Sequence, residues 1–192
     1  MPDLKFTGLK EMQRDFAAVG RAMAAGEARA VRRVSITIAA NQARAIADRV
    51  NLRISTIKDA IATAKYPTAA DPSVVFEVRA KGIPLGDFLG SRVTSKGLSV
   101  QPLKGGKRTI LKAGFTNGKL NGKYFGRVKK GSTQYGSPHV GRLPIAKLFG
   151  PDVLSQYIKD AIQKVGVDTW NARLEIELER ETNFALQKAG LT

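Results

Sequence analysis

Cysteine is absent from this chain, so a disulfide framework, a thiolate metal site and a cysteine nucleophile are all excluded. Histidine occurs once, at His139, which rules out a histidine-based metal cluster. His139 sits in Gly136-Ser137-Pro138-His139-Val140-Gly141, a turn-like setting that reads as a solvated loop. Ser137 lies close by in sequence, but the context is no nucleophile elbow and offers no ordered third partner. Three Gly-Lys pairs, at 106–107, 118–119 and 122–123, lack the glycine five residues earlier that a phosphate-binding loop requires. Gln101, Ala113 and Asn117 stand there instead. No apolar run approaches the roughly eighteen residues of a membrane helix. The start, Met1-Pro2-Asp3-Leu4-Lys5-Phe6, lacks the apolar stretch of a signal peptide. The sequence therefore predicts a soluble protein made inside the cell, with no enzymatic activity and no cofactor.

Acid is the other scarcity, and it is local. Between Lys81 and Lys147 there are fourteen Lys and Arg against a single acid, Asp87, so a net +13 of the chain's +16 sits in one third of it. Paired-carboxylate chemistry has no place there. A basic face of this size points to an anionic partner, either nucleic acid or an acidic protein surface. The phosphate reading names Lys104, Lys107, Arg108, Lys112, Lys119, Lys123, Arg127, Lys129 and Lys130. Phe115, Tyr124, Phe125 and Tyr135 lie among them as candidate base-stacking groups, or as the local core of a thin sheet. The protein reading gives the same cations to acidic neighbours in an assembly. A plain solvated face is the third possibility.

Apolar spacing divides the chain into a helical region over 1–66, a basic β-rich region over 67–150 and a C-terminal helix over 151–192, integrated in one domain. Leu9, Met12, Phe16, Val19 and Met23 fall on one helical face, as core or as a subunit contact. Gly26 interrupts weakly, and Val31, Val34, Ile38, Ala43, Ile46 and Val50 continue the stripe. A short helix is expected around Ile54, Ile57 and Ile61. Val74, Phe76 and Val78 alternate as a half-buried strand. Further strands are expected near 98–103, 109–112 and 124–128, with Asn117-Gly118 and Asn121-Gly122 suited to tight hairpin turns. Part of this stretch reads as a mobile loop that a partner orders. Pro151 and Asp152 suit a helix start. Leu154, Ile158 and Ile162, then Trp170, Leu174 and Leu178, give the last helix its apolar stripe. Gly166 is a possible bend, and Glu175, Glu177, Glu179 and Glu181 are read as its outer, acidic side. The fold class is α+β: N-terminal helices, a small antiparallel sheet with a basic Gly/Lys-rich loop region, and a long C-terminal helix.

One run closes the basic third: Arg142-Leu143-Pro144-Ile145-Ala146-Lys147-Leu148-Phe149-Gly150-Pro151. Its bulky apolar groups, set between prolines and a glycine, read either as a strand end stapling the helix onto the sheet or as a docking edge for the next subunit. The docking reading names Leu143, Pro144, Ile145, Leu148, Phe149, Gly150 and Pro151. Upstream lie Val75-Phe76-Glu77-Val78, Ile83-Pro84-Leu85-Gly86, Ser91-Arg92-Val93-Thr94-Ser95-Lys96-Gly97-Leu98-Ser99-Val100 and Leu103-Lys104-Gly105-Gly106-Lys107-Arg108. In that order these segments resemble the prophage minor tail protein Z family, the tail completion proteins of lambda-like long-tailed phages. The likeness in residues covers about 74–153. Where members of that family carry serine after Gly-Pro, this chain has Asp152, which serves a helix start equally well.

The resemblance implies a structural protein of the virion, assembled in the host cytoplasm and placed at the head-proximal end of the tail. It implies a ring, expected to be hexameric, that completes the tail and mediates head–tail joining. Its neighbours would be the tail terminator or tube protein, head-completion or connector proteins, and genomic DNA passing through the channel. A channel that lets DNA slide gains nothing from a dense grip on phosphates, which favours acidic neighbouring rings as the target of the lysines. The reading from another class is a free-standing basic nucleic-acid-binding protein.

Overall fold

The computed structural model describes residues 9–112, 114–116, 123–127 and 145–188. Element order is α1 (Leu9–Ala47), α2 (Ile54–Ala60), β1 (Ile61–Lys65), β2 (Val75–Val78), β3 (Ile83–Pro84), a 3-10 turn (Leu85–Asp87), β4 (Arg92–Thr94), β5 (Gly97–Val100), β6 (Thr109–Leu111), β7 (Gly114–Phe115), β8 (Phe125–Arg127), β9 (Ile145–Lys147), β10 (Phe149–Gly150), α3 (Leu154–Tyr157) and α4 (Asp160–Lys188). The fold is α+β: two long helices enclose, in sequence, a set of small sheets. β1 pairs with β2, β3 with β10, β4 with β5 and β6, and β7 with β8 and β9. Every register described is antiparallel. The chain divides into two compact units that interleave along the sequence. One is Met1–Ile38, Thr63–Phe76 and Gly166–Thr192; the other is Ala39–Ala62 and Glu77–Val165.

In the first unit, α1 contributes Ala28, Ala30, Val31 and Val34 to the core, as the apolar spacing requires. In the stripe before them, Phe16 is 70% and Met23 42% exposed, and Val19 is half-buried. Gly26 does not interrupt the helix. A Cβ there would lie 3.1 Å from the carbonyl oxygen of Glu181, so glycine lets the backbones of α1 and α4 approach closely. At this crossing Glu181 is buried, which corrects its assignment to the outer acidic side. Its Oε2 accepts from Arg29 Nε at 2.8 Å and its Oε1 from Arg33 Nε at 2.7 Å. The two arginines are one helical turn apart, so a single carboxylate spans both. Arg29 also lies 5.8 Å from the Phe184 ring centre, and Arg32 lies 5.2 Å from that of Tyr66. After β1, Asp71 turns the chain: its carboxylate receives the Ser73 N–H and the Lys65 ammonium. The Lys65 bond is the main reason Asp71 stays charged well below the usual carboxylate range.

In the second unit, Ala43, Ile46, Val50, Leu52 and Ile57 form one side of the core, and Ile83, Leu85, Phe88, Leu98 and Val100 the other. Ile57 and Ile61 are both buried as their spacing implies, but the chain leaves the helix at Ile61. The reason is tertiary: Ala60 accepts the Arg79 N–H, and β1 finds β2 as a sheet partner. The predicted alternation holds in β2 and its lead-in, where Val74, Phe76 and Val78 are half-buried and Val75 and Glu77 exposed. At the C-terminal end, Asp152 Oδ1 accepts the Ser155 N–H at 2.7 Å and so caps α3, three residues past the position expected from Pro151. A jog at Ile158–Lys159 separates α3 from α4, and the Gln163 amide donates to the carbonyl that this leaves at Tyr157. Gly166, a possible bend, lies within an unbroken α4 and is buried. Tyr157 has its pKa raised by burial, despite bonds with Gln42 and Gln163. Among the described residues, no helix is long and apolar enough to cross a membrane.

Candidate interface of the basic region

Of the described cations of the basic third, Arg92, Lys96, Lys104, Lys107, Arg108 and Lys112 lie on or beside the sheet β4–β5–β6 and the loop between β5 and β6. Register places Arg92, Ser99 and Ile110 in one cross-strand row and Val93, Leu98 and Leu111 in the next. Side chains of adjacent rows point to opposite faces. Leu98 and Val100, both fully buried, mark the core face. The other face carries Arg92, Ser99 and Ile110, joined by Arg108, whose Nη1 donates to Ser99 Oγ at 3.2 Å. The same guanidinium donates to the Gly90 carbonyl at 2.9 Å. Gly90 takes a positive φ of 75°, the left-handed conformation that suits glycine, and brings its carbonyl under the arginine. Arg108 is thus fixed by neutral acceptors, which leave its charge uncompensated.

The loop that bears Lys104 and Lys107 is held by hydrogen bonds. The Gln101 amide donates to the Lys104 carbonyl at 3.2 Å and to the Gly106 carbonyl at 3.0 Å. On its other side the loop is tied to the end of α1. Lys104 N–H donates to the Arg49 carbonyl and Asn51 N–H to the Pro102 carbonyl, both at 2.9 Å, and Asn51 Nδ2 donates to the Gln101 carbonyl at 2.6 Å. The ammonium groups remain in solvent: Lys104, Lys107 and Lys112 are exposed. Replacing Gln101 with alanine is expected to cost about 1 kcal/mol locally, from two lost bonds that water partly replaces. Hydrogen exchange would register it as faster exchange across residues 102–107, with the rest of the map unchanged.

Electrostatically the region stands apart from the rest of the chain. The four described ion pairs, Arg29–Glu181, Arg33–Glu181, Lys65–Asp71 and Arg180–Glu177, all lie in the first unit. No described ion pair uses Lys81, Arg92, Lys96, Lys104, Lys107, Arg108, Lys112, Lys123 or Lys147. Lys123 is exposed, Arg127 lies in β8 opposite Ile145, and Lys119, Lys129 and Lys130 fall outside the described residues. The two Asn-Gly turns, His139, Ser137 and Tyr135 also fall outside.

Among the described residues, the aromatics of this region do not form a stacking platform. Phe115 and Phe125 pair across β7 and β8 with ring centres 6.5 Å apart, both half-buried. Tyr124 is buried and its hydroxyl donates to the Ser91 carbonyl at 3.1 Å. They are the local core of a thin sheet. Sequence position alone had placed them beside the lysines without showing which way they face.

Of the run 142–151, the described part begins at Ile145, and within it Leu148 and Gly150 are buried while Ala146, Lys147, Phe149 and Pro151 are half-buried. Leu148 is buried and links two sheets, donating its N–H to the Tyr124 carbonyl at 2.9 Å while its own carbonyl accepts from Leu85 at 3.0 Å. Gly150 pairs with Ile83 and is buried so tightly that a Cβ there would overlap the Phe88 ring. Leu148 and Gly150 are therefore packing residues, not docking residues. Phe149 is half-buried, with the Lys147 ammonium 5.3 Å from its ring centre. Phe149 and Pro151 line a shallow cleft with Lys81 and Asp152, and Ile145 is 55% exposed. Leu143 and Pro144 lie outside the described residues. Among the described residues, no group of three or more His, Cys, Asp or Glu is placed to hold a metal ion. No family model, curated protein or solved structure matches the chain.

Proposed function

We propose that this chain is a non-enzymatic structural protein of a long-tailed phage, a tail completion protein that forms a ring at the head-proximal end of the tail and joins it to the head. The observation that carries the reading is the basic sheet and its loop: ordered by internal hydrogen bonds, yet with no ion pair of its own among the described residues. Such a surface is built to meet an anionic partner. The ordered sequence segments that resemble the tail completion family supply the setting, with the tail terminator or tube on one side, head-completion or connector proteins on the other, and DNA in the channel.

An acidic protein surface is favoured over nucleic acid as the main partner, because Phe115, Tyr124 and Phe125, the described aromatics among the lysines, are spent on the thin sheet and not offered for base stacking. The test is complementation of a phage lacking this gene with a chain carrying Lys104→Gln, Lys107→Gln and Lys112→Gln. These side chains are exposed, so folding should be unchanged by circular dichroism. Heads and tails should accumulate unjoined, with infectious yield down at least tenfold. Normal yield from that variant would reduce the region to solvated surface.

A further inference from the structure

The face of α4 that is turned to solvent carries a second charged surface, of opposite sign. Asp168, Glu175 and Glu179 are spaced i, i+7 and i+11, which places them in one row along the helix. All three are exposed, and no described ion pair uses them. Beside the row runs an apolar groove formed by Trp170, Leu174 and Leu178, with Val167 58% exposed at its start. An acidic row flanking an open apolar groove is conspicuous in a chain of net charge +16. The basic sheet has the complementary make-up, with Arg92 and Arg108 around Ile110, which is 45% exposed, and Lys112 two residues further on.

From this match we propose that the solvent-facing side of α4 docks onto the β4–β5–β6 face of a second copy of the same chain. The dimensions agree. From Asp168 to Glu179 the row runs about 16 Å at the helical rise, and Arg108 and Lys112, on either side of β6, lie within about 13 Å of each other. Three carboxylates meet three cations while the Trp170–Leu174–Leu178 groove covers Ile110. A partner charge seated this close escapes the screening that weakens repulsion between the two basic bodies, whose range at physiological salt is about 8 Å. The contact joins two different patches, so a pair of copies still has one of each free and the association continues until it closes into a ring or runs on as a filament. This inference names a partner for the basic face and rests on the assembly reading above.

The experiment is sedimentation velocity of the full chain across concentration and salt. Wild type should self-associate, with binding weakened as salt rises from about 0.05 to 0.5 M. Glu175→Lys/Glu179→Lys and, separately, Arg92→Glu/Lys112→Glu should each weaken association at least tenfold. All four positions are exposed and bonded to nothing described, so both variants should fold. Mixed one to one, the variants present a matched pair of surfaces in each direction and should associate again. A wild-type chain that stays monomeric to about 100 µM overturns the proposal. So does association that either reversal leaves untouched, or a mixture that stays dissociated. Failure here leaves the head–tail reading standing, because that reading is judged on particle yield with the lysine variant.

Discussion

A chain with both Arg29 and Arg33 replaced by alanine is expected to lose about 3–5 kcal/mol of stability, the usual cost of leaving a buried charge without its partners. Glu181 is the buried member, its side chain only 4% exposed, whereas the arginines are 41% and 49% exposed. That asymmetry decides the direction of the test. Removing the arginines leaves the buried Glu181 carboxylate without its charged partners at the helix crossing, where Gly26 already meets the Glu181 backbone. Removing the carboxylate instead frees two half-exposed guanidinium groups that can turn to solvent. Glu181→Leu should therefore cost clearly less than the double arginine change, since an apolar side chain of similar size replaces a desolvated ion. For a chain of this length the difference corresponds to a separation in melting temperature of roughly 5–10 °C. Equal melting temperatures would show that Glu181 is in effect solvated.

Gly150→Ala should be nearly as damaging, through crowding and not charge. The added methyl overlaps the ring of Phe88, which is 2% exposed and has no free side to move into. Overpacking of this kind costs about 1–3 kcal/mol, and a valine would cost more. The check is a double-mutant cycle. Phe88→Leu alone opens space and is destabilising, but Phe88→Leu with Gly150→Ala should be less harmful than the two effects summed, because each relieves the other. Strict additivity would place the two side chains out of contact. The same variant separates the two readings of the 142–151 run: it should lower thermal stability in the isolated protein, before any partner is present.

What could be read from the sequence was periodicity. The apolar stripe Val31–Val34–Ile38–Ala43–Ile46 foretold its own burial, and the alternation at Val74, Phe76 and Val78 foretold a strand, because both patterns are set by backbone geometry alone. What could not be read depended on what lies opposite. Gly26 looks like a weak break until Glu181 is placed across from it. Glu181 looks like its neighbours Glu177 and Glu179 until Arg29 and Arg33 are seen reaching for it. Ile61 continues a helical spacing, yet the pairing of β1 with β2 draws it into a strand. The basic region was legible as charge but not as geometry. Composition revealed an excess of cations; only the register shows which of them share a face, and only the Gln101 and Arg108 hydrogen bonds show that the loop is held.

The division into two compact units has a consequence for how such a protein can change over evolutionary time. The chain passes between the units four times, after Ile38, Ala62, Phe76 and Val165. Each crossing falls inside a hydrogen-bonded element, α1, β1, β2 and α4 in turn. No loop marks a border at which a gene could be cut and a foreign module spliced in, and a protease finds no exposed tether there. The two units must be inherited together, so diversity is confined to side chains on their faces and to the loops within each. Variation in partner choice is then expected as charge and contour changes on the β4–β5–β6 face and α4, not as exchange of whole modules.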